Sequence, residues 1–413
     1  MAKSKPAKTG PVGQPDIGYT PDYKKYLARK QRRLETETLE KELPSGFPKR
    51  LESNLVWDNI DIASRYDWTL QLSPDDLQEL QTALRHFQGL GKPPGYVSQE
   101  TFPLDKLHSK LREVSTEIHD GFGFKVVRGL PIDKYTREEA LVVYAGLASH
   151  VAPTRGRQDH KWDGKPADVA VNHIKDMTAK VDTSKIGAPA YTTDKQVFHT
   201  DSGDIIALLC LETAAEGGLS KLSSSWRVYN ELAETRPDLI KTLAEPWPVE
   251  NFDGQGQPYI NRPLLFYQAA SNDISANKER LIIQYARRTF TGFLGLPRSA
   301  SIPPITEAQA EALDTLHFLA EKHALSLDFQ KGDIQFVNNL SIFHARDGFV
   351  DSEVKQRHLV RLWLRDDEFA WKIPEELGAR WDKVYKGVTP ENQIFPLEPF
   401  VRSASLGKVE SGE

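Results

Sequence analysis

From about residue 70 the chain shows apolar residues at helical spacing. Leu77, Leu80, Leu84 and Phe87 recur every three or four positions. Ser73 is placed to cap such a helix, with Pro74 in its first turn, and Gly89 and Gly91 follow as terminators. Leu104, Leu107, Leu111, Val114 and Ile118 predict a second helix, closed by Gly121 and Gly123. Phe124-Lys125-Val126-Val127 reads as a strand. Thr136 and Glu139 have the spacing of a capping box ahead of the apolar residues 140–144.

Residues 150–200 are polar and loop-rich, with two short strand candidates. The continuous apolar run 205–211 predicts a buried strand. Gly217-Gly218 marks a turn, and a helix is expected near residues 226–232. Thr306 and Gln309 form another capping-box pattern before Leu313, Leu316 and Leu319. Short strands follow at 325–329, 334–337, 341–344 and 359–364, with Gly332-Asp333 turning between two of them. The sum is a mostly β domain with helical additions, either a β-sandwich or a distorted jelly roll, and no internal repeat.

The flanks differ. Residues 1–50 are polar, charge-rich and broken by prolines, and Arg29-Lys30-Gln31-Arg32-Arg33 is their most basic run. This predicts a disordered or extended, partly helical, solvated arm. One domain is expected over 51–400, with a loose tail at 401–413. The 413 residues carry a net charge of −5, which argues against nucleic-acid binding through bulk positive charge. No apolar run is long enough to span a membrane, and the N-terminus lacks the apolar core of a secretory signal. The single cysteine, Cys210, allows no disulfide within the chain and no thiolate zinc cluster. It lies in the apolar run 205–211, so an inert buried thiol and a cytoplasmic location are expected.

Three short segments carry candidate chemistry. In Phe198-His199-Thr200-Asp201 an extended backbone would turn residues 199 and 201 to one side. His-x-Asp alone is a common chance pattern. Ser341-Ile342-Phe343-His344 is an apolar strand ending in a histidine that could supply a third ligand. Two histidines and a carboxylate on one face of iron leave open positions for a chelating co-substrate and O₂. Zinc, or a histidine buried for packing, would also account for His344 by itself. In Arg357-His358-Leu359-Val360-Arg361-Leu362-Trp363, residues 357, 359, 361 and 363 share a strand face. Two arginines on an interior face are costly unless each meets an anion. Solvated arginines on an edge strand are the alternative.

The order of these segments resembles the taurine dioxygenase-like, or clavaminate synthase-like, superfamily of Fe(II)/2-oxoglutarate oxygenases, over about residues 120–366. The resemblance implies a double-stranded β-helix (jelly-roll) core there. It implies that His199, Asp201 and His344 bind Fe(II) and act in catalysis, and that 2-oxoglutarate is the co-substrate. The family's threonine after a Gly-Gly turn falls on Ser220, and its two arginines fall on Arg357 and Arg361. Arg357, with Ser220, is thereby assigned to the far carboxylate of 2-oxoglutarate, and Arg361 to an anionic substrate. The look of the chain, including Arg155-Gly156-Arg157-Gln158-Asp159, is nearest to fungal members. Halogenation is disfavoured, because family halogenases lack the carboxylate ligand that Asp201 provides here.

The expectation is an oxygenase acting on a C–H bond of a small acid, an amino acid or related anion, by hydroxylation, desaturation or ring closure. Ile342, Phe343, Tyr191 and Phe198 are candidates to line the substrate pocket. A zinc hydrolase would use the same metal residues but leave Ser220 and Arg357 without a role. A non-catalytic small-acid sensor is the third reading.

Overall fold

Three capping boxes set helices where the apolar periodicity expects them. Ser73 with Asp76, Thr136 with Glu139 and Thr306 with Gln309 each satisfy two amides reciprocally. They open the helices Pro74–Gly89, Arg137–Val151 and Glu307–Lys322. Every residue from Ala140 to Val151 is buried, so the second of these is a core helix. The computed structural model describes residues 10–251, 257–270, 278–294 and 296–403.

Two sheets position the site. The larger has the order Thr69–Gln71, Phe124–Arg128, Ile334–Asn338, Ile205–Glu212, His358–Arg365, with Thr154–Arg155 and Asn172–Lys175 both pairing along the last strand. Its pairs are antiparallel except the first. The smaller has the order Leu325–Leu327, Ser220–Ser224, Ile342–Arg346, Gln196–His199, all antiparallel.

Alternation on the two central strands decides which residues can reach a site. Ile205, Ala207, Leu209 and Leu211, with Val360, Leu362 and Leu364, pack in the core that includes the helix Arg137–Val151. Ile206, Leu208, Leu359 and Arg361 face the other way, into a cavity that residues of the smaller sheet also line. The expected sharing of one face by residues 357, 359 and 361 holds, since Arg357 lines the same cavity. Cys210 is fully buried, and burial pushes its thiol up to about 12.

The structure departs from the sequence reading in three places. Five α-helices run 14–16 residues, while no strand exceeds 8 among the described residues, so "mostly β" understates the helices. The architecture is a mixed sheet and a smaller sheet layered with helices. Residues 150–200 hold five strands rather than two. Several are short and polar, which removes the alternation that marks a strand in sequence.

The arm is the third departure. Tyr23–Thr36 is a helix packed on Glu307–Lys322, and Arg29 and Arg33, expected to be solvated, are buried. Arg29 Nη1 donates to Asp314 (2.5 Å) and Arg33 Nη1 to Glu311 (2.5 Å). Arg236 also donates to Glu311, and Arg287 donates to Asp314 at 2.7 Å. A basic run reads as a solvated face unless its acidic partners are known, and here they lie some 280 residues downstream. At the other end, Val401 to Ser403 of the expected tail are held against the domain. Residues 404–413, like residues 1–9, lie outside the described residues. Among the described residues no helix is long and apolar enough to cross a membrane.

Glu311 accepts from two buried guanidiniums and is itself fully buried. Glu311→Ala leaves both without their shared anion. It is expected to lower unfolding stability by about 3–5 kcal/mol, measured by urea denaturation.

Candidate active site

His199 ends the edge strand of the smaller sheet, and His344 lies directly opposite it in the antiparallel pairing. Their ring centroids are 4.1 Å apart. His199 Nε2 is 3.7 Å from Asp201 Oδ1, and His344 Nε2 is 4.0 Å from Asp201 Oδ2. One ligand atom from each residue lies within 4.8 Å of the others, so the three side chains converge on one point.

Asp201 reaches that point by a different route from the one expected. The strand ends at His199, and Asp201 sits in the loop after it. Its N–H donates to Asn339 Oδ1 (2.7 Å), and its carbonyl accepts from Asn339 Nδ2 (3.1 Å) and Gln284 Nε2 (3.0 Å). Asn339 thus holds the aspartate backbone by both ends of one amide. Thr200 is fixed on the other side by paired hydrogen bonds with the Tyr285 backbone.

The donor set fits a divalent transition metal. Burial, and then the charge of His199, push His344 down to about 3. Burial likewise lowers His199. Both are therefore neutral imidazoles near pH 7. His199 Nδ1–H donates to the Val197 carbonyl (2.9 Å), which leaves Nε2 as the acceptor nitrogen, now met by the Gln196 amide at 3.0 Å. Burial works to raise the Asp201 pKa, but Arg361, His344 and His199 outweigh it and hold the carboxyl well below its usual range. Two neutral imidazoles and one carboxylate are the ligand chemistry of a facial-triad iron site.

Arginines surround this triad. Arg361 Nη1 donates to Asp201 Oδ2 (2.5 Å), Trp363 Nε1 donates to the same oxygen (3.3 Å), and Arg361 Nε donates to Gln158 Oε1 (2.7 Å). Of the two arginines expected to meet anions, Arg361 does so through Asp201. Arg357 is 5% exposed, and its Nη1 has no hydrogen-bond partner among the described residues. Burial pushes its pKa down to about 10. Gly218, at φ +70°, makes room for it: a Cβ there would lie 3.1 Å from the Arg357 side chain. Ser220 lines the cavity and donates to Gln335 Oε1 (2.9 Å).

Four of the expected pocket residues do not line the cavity. Alternation along the strands turns Phe198 and Phe343 away from His199 and His344, into a large core cluster. Ile342 shares the His344 face but packs farther along the strand with Trp57, Phe124 and Leu222. Tyr191 stands behind the wall: it clusters with Ile174, Ala190 and Leu359, which line the cavity, and its hydroxyl donates to Asn172.

The sequence reading passed over Gln335 and Arg346, which both line the cavity. Gln335 sits in an apolar strand and reads as a polar interruption. Arg346 follows His344 by two residues, and that spacing was the available signal. Arg346 lies opposite Ser220 in the pairing, and its guanidinium is 4.7 Å from the Phe349 ring, with that of Arg357 at 5.5 Å. Its Nη2 donates to the carbonyls of Pro189, Thr192 and Asp194.

Comparison with known proteins agrees with this geometry. The taurine catabolism dioxygenase TauD, TfdA family matches residues 85–363, most of the chain and all of the triad. The chain belongs to this family. It is similar to the taurine hydroxylase-like protein SAT17 of Stachybotrys chartarum, with 39% identity over 358 residues, 85% of this chain and 89% of that protein. It is 25% identical to FR-33289 synthase of Streptomyces rubellomurinus over 344 residues, 81% of this chain and 95% of that protein. In fold it is similar to asparagine oxygenase in complex with Fe(II), 2S,3S-3-hydroxyasparagine and succinate. That match has a TM-score of 0.53 at 15% identity and covers 72% of this chain and 94% of that one. This TauD-family protein is a 2-oxoglutarate-dependent dioxygenase that uses Fe(II).

Asn339→Ala removes the amide that fixes Asp201 without touching a ligand. Iron affinity is expected to fall about 10- to 100-fold, measured by metal titration against a competing chelator. Asp201→Ala should retain no iron under the same conditions.

Proposed function

We propose that this dioxygenase oxidises a C–H bond of a small acid, an amino acid or related anion, with hydroxylation as the ordinary outcome and desaturation or ring closure as variants. The observation that carries the reading is the pair of inward arginines, Arg357 and Arg361, on the strand face beside the triad. In this reading the two sheets are the walls of a double-stranded β-helix core, and the small molecules enter between them.

Each residue then has a distinct task. His199, Asp201 and His344 hold Fe(II). Arg357 takes the far carboxylate of 2-oxoglutarate as a bidentate pair, and Ser220 offers its hydroxyl to the same group. Burial keeps competing water from Arg357, which strengthens that pairing. Arg361 holds Asp201 through Nη1 and Gln158 through Nε, and its remaining Nη2 would orient an anionic substrate. Ile206, Leu208 and Leu359 supply apolar wall that excludes water from the reacting centre. Bound iron supplies the O₂ activation that converts 2-oxoglutarate to succinate and CO₂ while the substrate C–H bond is oxidised.

The zinc-hydrolase and silent-sensor readings are not favoured, because the family is one of oxygenases and the arginine pair is kept. The test is a screen of amino acids and other small acids for substrate-stimulated succinate release. Release stimulated by an amino acid or small acid and dependent on iron is the expected result. Stimulation only by neutral compounds would refute the substrate class.

Gly218→Ala presses a methyl group against Arg357 at a left-handed turn position. The KM for 2-oxoglutarate is expected to rise about tenfold, consistent with disturbing one charge-assisted contact. Steady-state succinate production measures it.

A further inference from the structure

The last described residues of the chain lie against the active site. The Arg402 N–H donates to the Tyr191 hydroxyl (3.3 Å). Ser403 donates to both oxygens of the buried Asp159, from its N–H at 2.6 Å and its hydroxyl at 2.5 Å. Arg402 Nη1 donates to the Gln158 carbonyl at 3.1 Å. The segment thus docks on residues 158–159 and on Tyr191 behind the cavity wall.

This docking brings the Arg402 guanidinium onto the same Trp363 ring as that of Arg361, close enough for the two charges to act on each other. Arg361 lies 5.0 Å and Arg402 5.3 Å from the centre of the same Trp363 ring. Gln158 serves both, accepting from Arg361 Nε on its side chain and from Arg402 Nη1 on its backbone. The Trp363 indole donates to Asp201, so the pair of cations adjoins the metal ligands. Arg402 also feels the Asp201 carboxylate electrostatically.

Two donors in this cluster are buried and have no partner among the described residues, Arg361 Nη2 and Arg402 Nε. A buried guanidinium nitrogen without an acceptor is costly, so an anion arriving between these two donors would relieve both. Asp201 is the metal-site carboxylate here, and Arg361 already grips it. A divalent metal held beside Asp201 would add positive charge next to the cluster, which an anionic group would offset. Arg357 is the cation assigned to 2-oxoglutarate, so Arg402 is not needed there.

We propose that Arg402 is a substrate-binding residue: the C-terminal segment delivers a second guanidinium that, together with Arg361, holds an oxyanion group of the substrate. This rests on the small-acid substrate reading proposed above. Carboxylate, sulfonate and phosphonate share the required chemistry. Two cations favour whichever head group carries the greater charge.

The test uses the full chain loaded with Mn(II), which stands in for iron without turnover, and reads thermal stabilisation. The ligands are 2-oxoglutarate alone, and then 2-oxoglutarate with 2-aminoethylphosphonate, 2-aminoethylsulfonate or β-alanine, which differ only in head group. At least one of the three is expected to raise the wild-type midpoint further, and the strongest names the head group. In Arg402→Gln the concentration needed for that head group should rise about tenfold or more, with partial recovery in Arg402→Lys. The 2-oxoglutarate concentration needed should not change, which separates substrate binding from a merely structural anchor.

Three results would overturn the proposal. They are a wild type stabilised by 2-oxoglutarate but by none of the three probes, an Arg402→Gln response equal to wild type, or an equal loss of the 2-oxoglutarate response in Arg402→Gln. A wild type that 2-oxoglutarate itself fails to stabilise strikes at the underlying oxygenase reading, and the proposal falls with it.

Discussion

The register between two short antiparallel strands is the constraint on which the site depends. His199 and His344 meet because they are direct partners across that pair. A slip of one residue would turn one imidazole to the opposite face. The register is held by the residues that do not touch the site. Phe198 and Phe343 point into the core with Leu313 and Leu316, so hydrophobic packing indexes the two candidate ligands. Asp201 lies beyond the strand and cannot be indexed that way. A single side-chain amide, Asn339, does that work with two hydrogen bonds.

Charge is the second organising principle. Arg346, Arg357 and Arg361 are each 4–5% exposed and line one cavity. Among the described residues, Asp201 is the one carboxylate that accepts a hydrogen bond from any of these three guanidiniums. Such an arrangement is tolerable in a fold that takes up 2-oxoglutarate, since an anionic ligand offsets the buried positive charge. The helical shell shows the opposite case. There Arg29, Arg33, Arg236 and Arg287 are matched by Glu311, Asp314 and Asp238, and Glu37 and Glu307 carry the network to the surface.

How much of this could be read in the sequence follows from the range of each signal. Capping boxes and apolar periodicity are local, and the helices opened by Ser73, Thr136 and Thr306 stand where the pattern put them. The triad was legible because two of its members are two residues apart and the third ends an apolar strand. The direction of Phe198 and Phe343 was also contained in strand alternation, once their neighbours are taken as ligands. Asn339 was not legible, since an asparagine in a turn carries no mark of its partner. The arm and the C-terminal segment were misjudged for a related reason. Basic and polar residues read as solvated until the fold supplies buried acids such as Glu311 and Asp159.

The strand Gln196–His199 lies at the border of its sheet. The Val197 N–H, which would otherwise point outward, donates to the hydroxyl of Tyr19 at 3.3 Å. Tyr19 is itself seated by an edge contact with Phe293 and by the Arg287 hydrogen bond to the Gly18 carbonyl. The N-terminal arm therefore works as a guard over an open β-edge, as well as a helix packed on the shell. A chain shortened to residue 51, where the single domain was expected to start, would bare that edge. Its first symptom would be self-association through strand pairing, seen before any change in catalysis.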